Sequence, residues 1–106
     1  MSALIWCPFP DRDSARTIAG TLLDERLIAC ANLLGPVESL FEWAGERGEA
    51  EEVGVIFKTD HTLLERAIAR LERLHPYDTP AILGWRCDAA AEGTGTWLGR
   101  LKHGDC

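Results

Sequence analysis

Residues 27–59 read LIACANLLGPVESLFEWAGERGEAEEVGVIFKT, and this stretch decides the fold. From Leu27 to Trp43 it alternates, with Val37, Ser39, Phe41 and Trp43 on one face and Glu38, Leu40 and Glu42 on the other. That two-residue period is a strand's. Gly35-Pro36 interrupts the run and predicts a bulge, or a bend at an unpaired edge, because proline has no N–H to give to a ladder. Ala44 to Glu51 (AGERGEAE) is polar, holds two glycines and reads as a turn. Glu52 to Thr59 then returns as a strand with Val53, Val55 and Phe57 inward. The centre of the chain is therefore a long hairpin.

Elements on either side complete the pattern. Ala3 to Cys7 is a short apolar run suited to a central strand. From Asp11 to Arg26 the positions Ala15, Ile18, Ala19, Leu22 and Leu23 follow helical spacing, with Asp11 or Asp13 placed to cap the start. A second helix is expected from about His61 to Leu74, where Leu63, Leu64, Ala67, Ile68 and Leu71 share one side. Thr62 and Glu65 have capping-box spacing, and Pro76 follows the last turn. Pro80 to Cys87 reads as a fourth strand, and Thr96 to Lys102 as a short terminal helix after a flexible AAAEGTG stretch. The order β-α-β-β-α-β forms two split β-α-β units, so the expected class is α+β: a ferredoxin-like sandwich in a single domain spanning residues 1–106.

Composition narrows the function. The chain has 106 residues with 46% hydrophobic and 26% charged residues, an ordinary globular balance. Its net charge is −6 and its basic residues are scattered, which argues against a nucleic-acid partner, since phosphate binding needs clustered positive charge. No apolar run approaches a membrane span, and the first ten residues lack the pattern of a signal peptide, so a cytoplasmic protein is expected. Cysteines stand at 7, 30, 87 and 106 without a CxxC pair and are expected as reduced thiols, Cys30 and Cys87 as small core residues, Cys106 as dispensable. Helices cover one sheet face, while Val37, Phe41, Trp43, Trp6 and Trp85 crowd what remains. A second copy of the chain is the simplest cover, so a homo-oligomer is expected.

Leu74-His75-Pro76-Tyr77-Asp78-Thr79-Pro80 is the most unusual segment, placing an imidazole, a phenol and a carboxylate between two prolines. It reads either as a rigid binding loop or as a helix-terminating turn. In the expected sheet the fourth strand lies antiparallel beside the first, which brings His75 near Cys7. A thiolate and an imidazole suit a borderline ion such as copper or zinc, with further ligands from Asp78, water or a neighbouring subunit. The same pair could make a nucleophile, but no oxyanion donor or phosphate loop accompanies it, and no enzyme is expected.

The phrases Asp24-Glu25-Arg26-Leu27-Ile28-Ala29-Cys30-Ala31-Asn32, Ser39-Leu40-Phe41-Glu42-Trp43-Ala44-Gly45, Lys58-Thr59 and Leu74 to Pro80 together resemble the CutA divalent-cation tolerance family, in order and over nearly the whole chain. The resemblance implies a cytoplasmic homotrimer built through the long hairpins, linked to tolerance of divalent metals, with copper the metal usually named. It also implies metal ligands at Cys7 and His75. Leu74 precedes His75 where copper-assigned members can carry a second histidine, and Ala81, Phe41 and Thr94 replace polar family residues. The expected function is reversible, non-catalytic binding of copper or a similar ion by a homotrimer. The alternative is a PII-like module that binds a small metabolite or a protein partner in its inter-subunit clefts.

Overall fold

The central hairpin is longer than its pattern predicts. In the computed structural model, which describes residues 1–103 and side chains as far as residue 101, strand β2 runs Cys30–Trp43 and β3 runs Glu46–Asp60. Trp43 pairs with Glu46, leaving only Ala44-Gly45 as the turn. Both turn residues have positive φ, 53° and 82°, the geometry of a type I′ hairpin that matches the twist of its strands. The polar stretch expected as a loop is therefore mostly ladder. It lies beyond the rest of the sheet, with no core to impose an apolar alternation. The interruption at Gly35-Pro36 is a register shift, as expected: Leu33 faces Val55 and Pro36 faces Val53.

The remaining elements are β1 (Ser2–Phe9), α1 (Arg12–Asp24), a 3-10 turn at His61–Leu63 leading into α2 (Leu64–Leu74), β4 (Leu83–Arg86), α3 (Glu92–Gly99) and a closing 3-10 turn at Arg100–His103. The sheet order is β2-β3-β1-β4, with every neighbour antiparallel. This is the expected α+β sandwich. Ala3, Ile5, Cys7 and Phe9 of β1 and Val55 and Phe57 of β3 form the buried face, packed with Ala15, Leu22, Ala67 and Leu71 of the helices. Cys7 is thus the core cysteine, while Cys30 and Cys87, expected there, are only half-buried. Cys106 lies outside the described residues.

Helix ends differ from expectation in two places. Asp11 caps α1 by accepting from the Ser14 amide at 2.7 Å, as its position predicts. The expected capping box of Thr62 and Glu65 does not form. Asp60, wholly buried, instead accepts from the Thr62 amide at 3.1 Å and from the Thr62 hydroxyl. α1 ends in a Schellman motif, the Leu27 amide reaching Leu22 O and the Arg26 amide reaching Leu23 O, both at 3.0 Å. Arg26 occupies the left-handed position with φ 57°, where glycine is usual. At the chain's end, the AAAEGTG stretch expected as flexible largely enters α3, which starts at Glu92 and includes Gly93 and Gly95. β4 is shorter than expected, four residues rather than eight.

Candidate functional site

The second sheet face is open. By the pairing register, Leu4, Trp6, Ile56, Leu83 and Trp85 share it with Val37, Phe41 and Trp43 of the hairpin. A Cβ on Gly54 would come within 2.4 Å of the Trp6 ring and 3.3 Å of Val37, so glycine is what lets that indole approach the strand so closely. Trp43 and Leu83 are more than 60% exposed, and Phe41 and Trp85 nearly half. A contiguous apolar face of this kind marks an interaction surface on a single chain.

At the far end of β1 the loop after α2 folds back onto the sheet. α2 ends at Leu74, and His75, extended and followed by Pro76, carries its ring inward, where it is 6% exposed. The ring stacks on Phe9 with centroids 4.6 Å apart and contacts Tyr77 at 4.7 Å. Its Nε2 lies 2.8 Å from the Pro8 carbonyl, and its Nδ1 accepts the Tyr77 amide at 3.1 Å. A carbonyl only accepts and an amide only donates, so the ring is the neutral Nε2–H tautomer. Burial pushes its pKa down, against the opposing pull of the Pro8 hydrogen bond and the Glu52 charge.

Cys7 reaches the same place from the core side. Its Sγ lies 3.5 Å from the Pro8 oxygen, so thiol and imidazole converge on one carbonyl. Burial, with the nearby Glu52 charge, pushes the thiol up to about 12, and it is protonated at neutral pH. Glu52 accepts from the Tyr77 hydroxyl at 2.8 Å, and burial together with that bond raises the phenol to about 12. Asp78 is exposed on the loop.

Topology thus brings together the two residues read from the sequence, Cys7 and His75, and adds Pro8, Glu52 and Tyr77. Glu52 was legible only as a carboxylate beginning an apolar strand, and Pro8 acts through a backbone oxygen that leaves no signal in sequence. As a donor set in the single chain, the corner does not fit a resident metal. Both imidazole nitrogens are committed to backbone partners, and the thiol is desolvated and protonated. Among the described residues, no three His, Cys, Asp or Glu side chains gather to hold an ion. Nor does the corner offer an activated nucleophile. No helix among the described residues is long and apolar enough to cross a membrane.

A four-stranded antiparallel sheet with helices on one face, an open apolar second face and a histidine-closed corner defines an α+β sandwich protein. Comparison with known proteins gives the family. Residues 3–100 match the model of the CutA1 divalent ion tolerance protein. The divalent-cation tolerance protein CutA of Pyrococcus horikoshii is 43% identical over 95 residues, covering 90% of this chain and 92% of its own. The crystal structure of CutA1 from that organism superposes with a TM-score of 0.86 at 40% identity, covering 93% and 96% of the two chains. The structure of a periplasmic divalent cation tolerance protein CutA from Archaeoglobus fulgidus gives 0.89 at 28% identity, covering 95% and 98%. The chain belongs to the CutA divalent-cation tolerance family.

Proposed function

We propose that the protein works as a cytoplasmic homotrimer that binds copper or a similar divalent ion reversibly and without turnover, using Cys7 and His75. The observation that carries the reading is the convergence of the Cys7 thiol and the His75 ring on the Pro8 carbonyl. To ligate an ion, His75 must release the Tyr77 amide from Nδ1, and Cys7 must lose a proton held by burial. Both steps cost binding energy, so the affinity is modest and exchange is fast, which suits buffering rather than a resident metal. Water or a neighbouring subunit completes the shell. The trimer reading is supported by the open face, whose exposed Phe41, Trp43, Leu83 and Trp85 need cover.

Cu(II) titration of the reduced trimer followed by calorimetry tests this reading. Saturation near one ion per chain, abolished in both Cys7→Ser and His75→Ala, is the expected result. Binding that survives both substitutions overturns the site.

A further inference from the structure

The hairpin reaches past the rest of the sheet. β1 pairs with β3 only as far as Phe9 opposite Val53, so residues 37–43 and 46–52 pair with each other alone. An isolated two-stranded ribbon is at best marginally stable in water, and this arm exposes Leu40, Phe41 and Trp43. It needs a surface to lie against.

Charge selects that surface. On the arm, the face that continues the open side of the sheet carries Phe41 and Trp43, with Glu52 and Glu46 as its carboxylates. Glu52 is held by the Tyr77 hydroxyl, which leaves exposed Glu46, directly opposite Trp43, as the free carboxylate of that face. On the body of the sheet, the register sets Cys30, Lys58, Leu4 and Trp85 in one row and Asn32, Ile56, Trp6 and Leu83 in the next. Lys58 is the one cation in these two rows. It is half-buried, and among the described residues it makes no ion pair. Any molecule that covers this face desolvates the ammonium, a cost that an incoming anion offsets. The body thus offers an apolar surface with one positive charge, and the arm an apolar surface with one negative charge.

The two cannot meet within one chain. Lys58 and Glu46 stand toward opposite ends of β3, roughly 40 Å apart at the rise of a strand. Arm and body are also different patches, so a contact between them is heterologous, and such a contact closes into a ring rather than a two-fold dimer. We infer that Glu46 of one copy pairs with Lys58 of the partner subunit, the Phe41 and Trp43 face of the first lying across Leu4, Trp6 and Trp85 of the second. The inference rests on the trimer proposed above and adds what sets its register: a charge pair enclosed by apolar contact, which only one placement of the arm forms.

A zero-length carbodiimide, which joins an amine to a carboxylate only where the two touch, tests the pair in the assembled full-length protein. Peptide mapping is expected to find a Lys58–Glu46 isopeptide, which the separation along β3 assigns to two copies. Lys58→Gln is expected to remove it. Lys58→Glu and Glu46→Lys each set like charges together, and each is expected to raise the concentration needed for assembly at least about tenfold in sedimentation velocity. Exchanging both is expected to restore assembly to within about threefold of the parent. The crosslink is made on the parent chain, so it stands whether or not a variant folds. A parent that sediments as a monomer overturns the trimer reading and this inference with it. A trimer that yields no Lys58–Glu46 link, or whose double variant assembles no better than the single ones, overturns this inference alone.

Discussion

His75 donates its Nε2–H to the carbonyl of Pro8, 67 positions earlier in the chain, at 2.8 Å. That bond ties the loop after α2 to the end of β1, and together with the Tyr77 amide donated to Nδ1 it fixes the neutral tautomer. Its consequence is a pH dependence with a definite sign. Burial holds the His75 pKa below its usual 6.5, so between that lowered value and 6.5 the unfolded chain binds more protons than the folded one. Stability is fully present above about pH 6.5 and is lost as pH falls through the lowered pKa. The melting temperature is expected to drop on acidification below that point, and His75→Asn is expected to flatten the drop. A variant that kept the full slope would assign it to other groups.

The N-terminal end of the second helical segment separates two readings of the same sequence. Thr62 and Glu65 have capping-box spacing, yet the hydrogen bonds run from Thr62 to buried Asp60. Asp60→Ala is expected to lower stability by about 1–2 kcal/mol, the range for a lost N-cap. Glu65→Ala, on an exposed helix surface, is expected to change it by less than about 0.5 kcal/mol. Urea denaturation of the two variants checks the pair, and a larger loss in Glu65→Ala would restore the capping box.

Trp43 sits beside the hairpin turn and is 63% exposed in the single chain. If the hairpins build the trimer, its indole becomes interface. Trp43→Ala is then expected to cost several kcal/mol of assembly free energy, about the 3–5 kcal/mol of large-to-small aromatic truncations in cores. Sedimentation velocity should show dissociation at concentrations where the parent protein stays assembled. Unchanged mass and melting temperature would place the interface elsewhere.

Gly54 offers a local test of the open face. A methyl group there would meet the Trp6 ring at 2.4 Å, so Gly54→Ala must displace that indole. A loss of about 1–3 kcal/mol, as for overpacking, is expected, together with a change in tryptophan emission. A neutral result would mean that Trp6 has room to move.

Much of this architecture is legible in the sequence, because burial imposes periodicity where a core exists. Leu22 and Leu71 announce their helices, Asp11 its cap, and Gly35-Pro36 its register shift. Where no core lies beneath, the signal fails. The ladder from Glu46 to Glu51 reads as a loop because both its faces are polar or small, and α3 is hidden by Gly93 and Gly95, which disfavour helix. At the corner, strand order predicts that Cys7 and His75 approach. It does not reveal which side of the sheet the thiol takes, nor that the backbone of Pro8 and Tyr77 occupies both imidazole nitrogens. Left-handed Arg26 has no sequence signature at all.

We propose a trimer that takes up a divalent ion at Cys7 and His75. Native mass spectrometry of the reduced protein, before and after one equivalent of Cu(II) per chain, tests it most directly. The expected result is an assembly of three 11.7 kDa chains that retains about one copper per chain and loses it in His75→Ala. A monomer, or a trimer that stays metal-free or keeps its copper in His75→Ala, would contradict it.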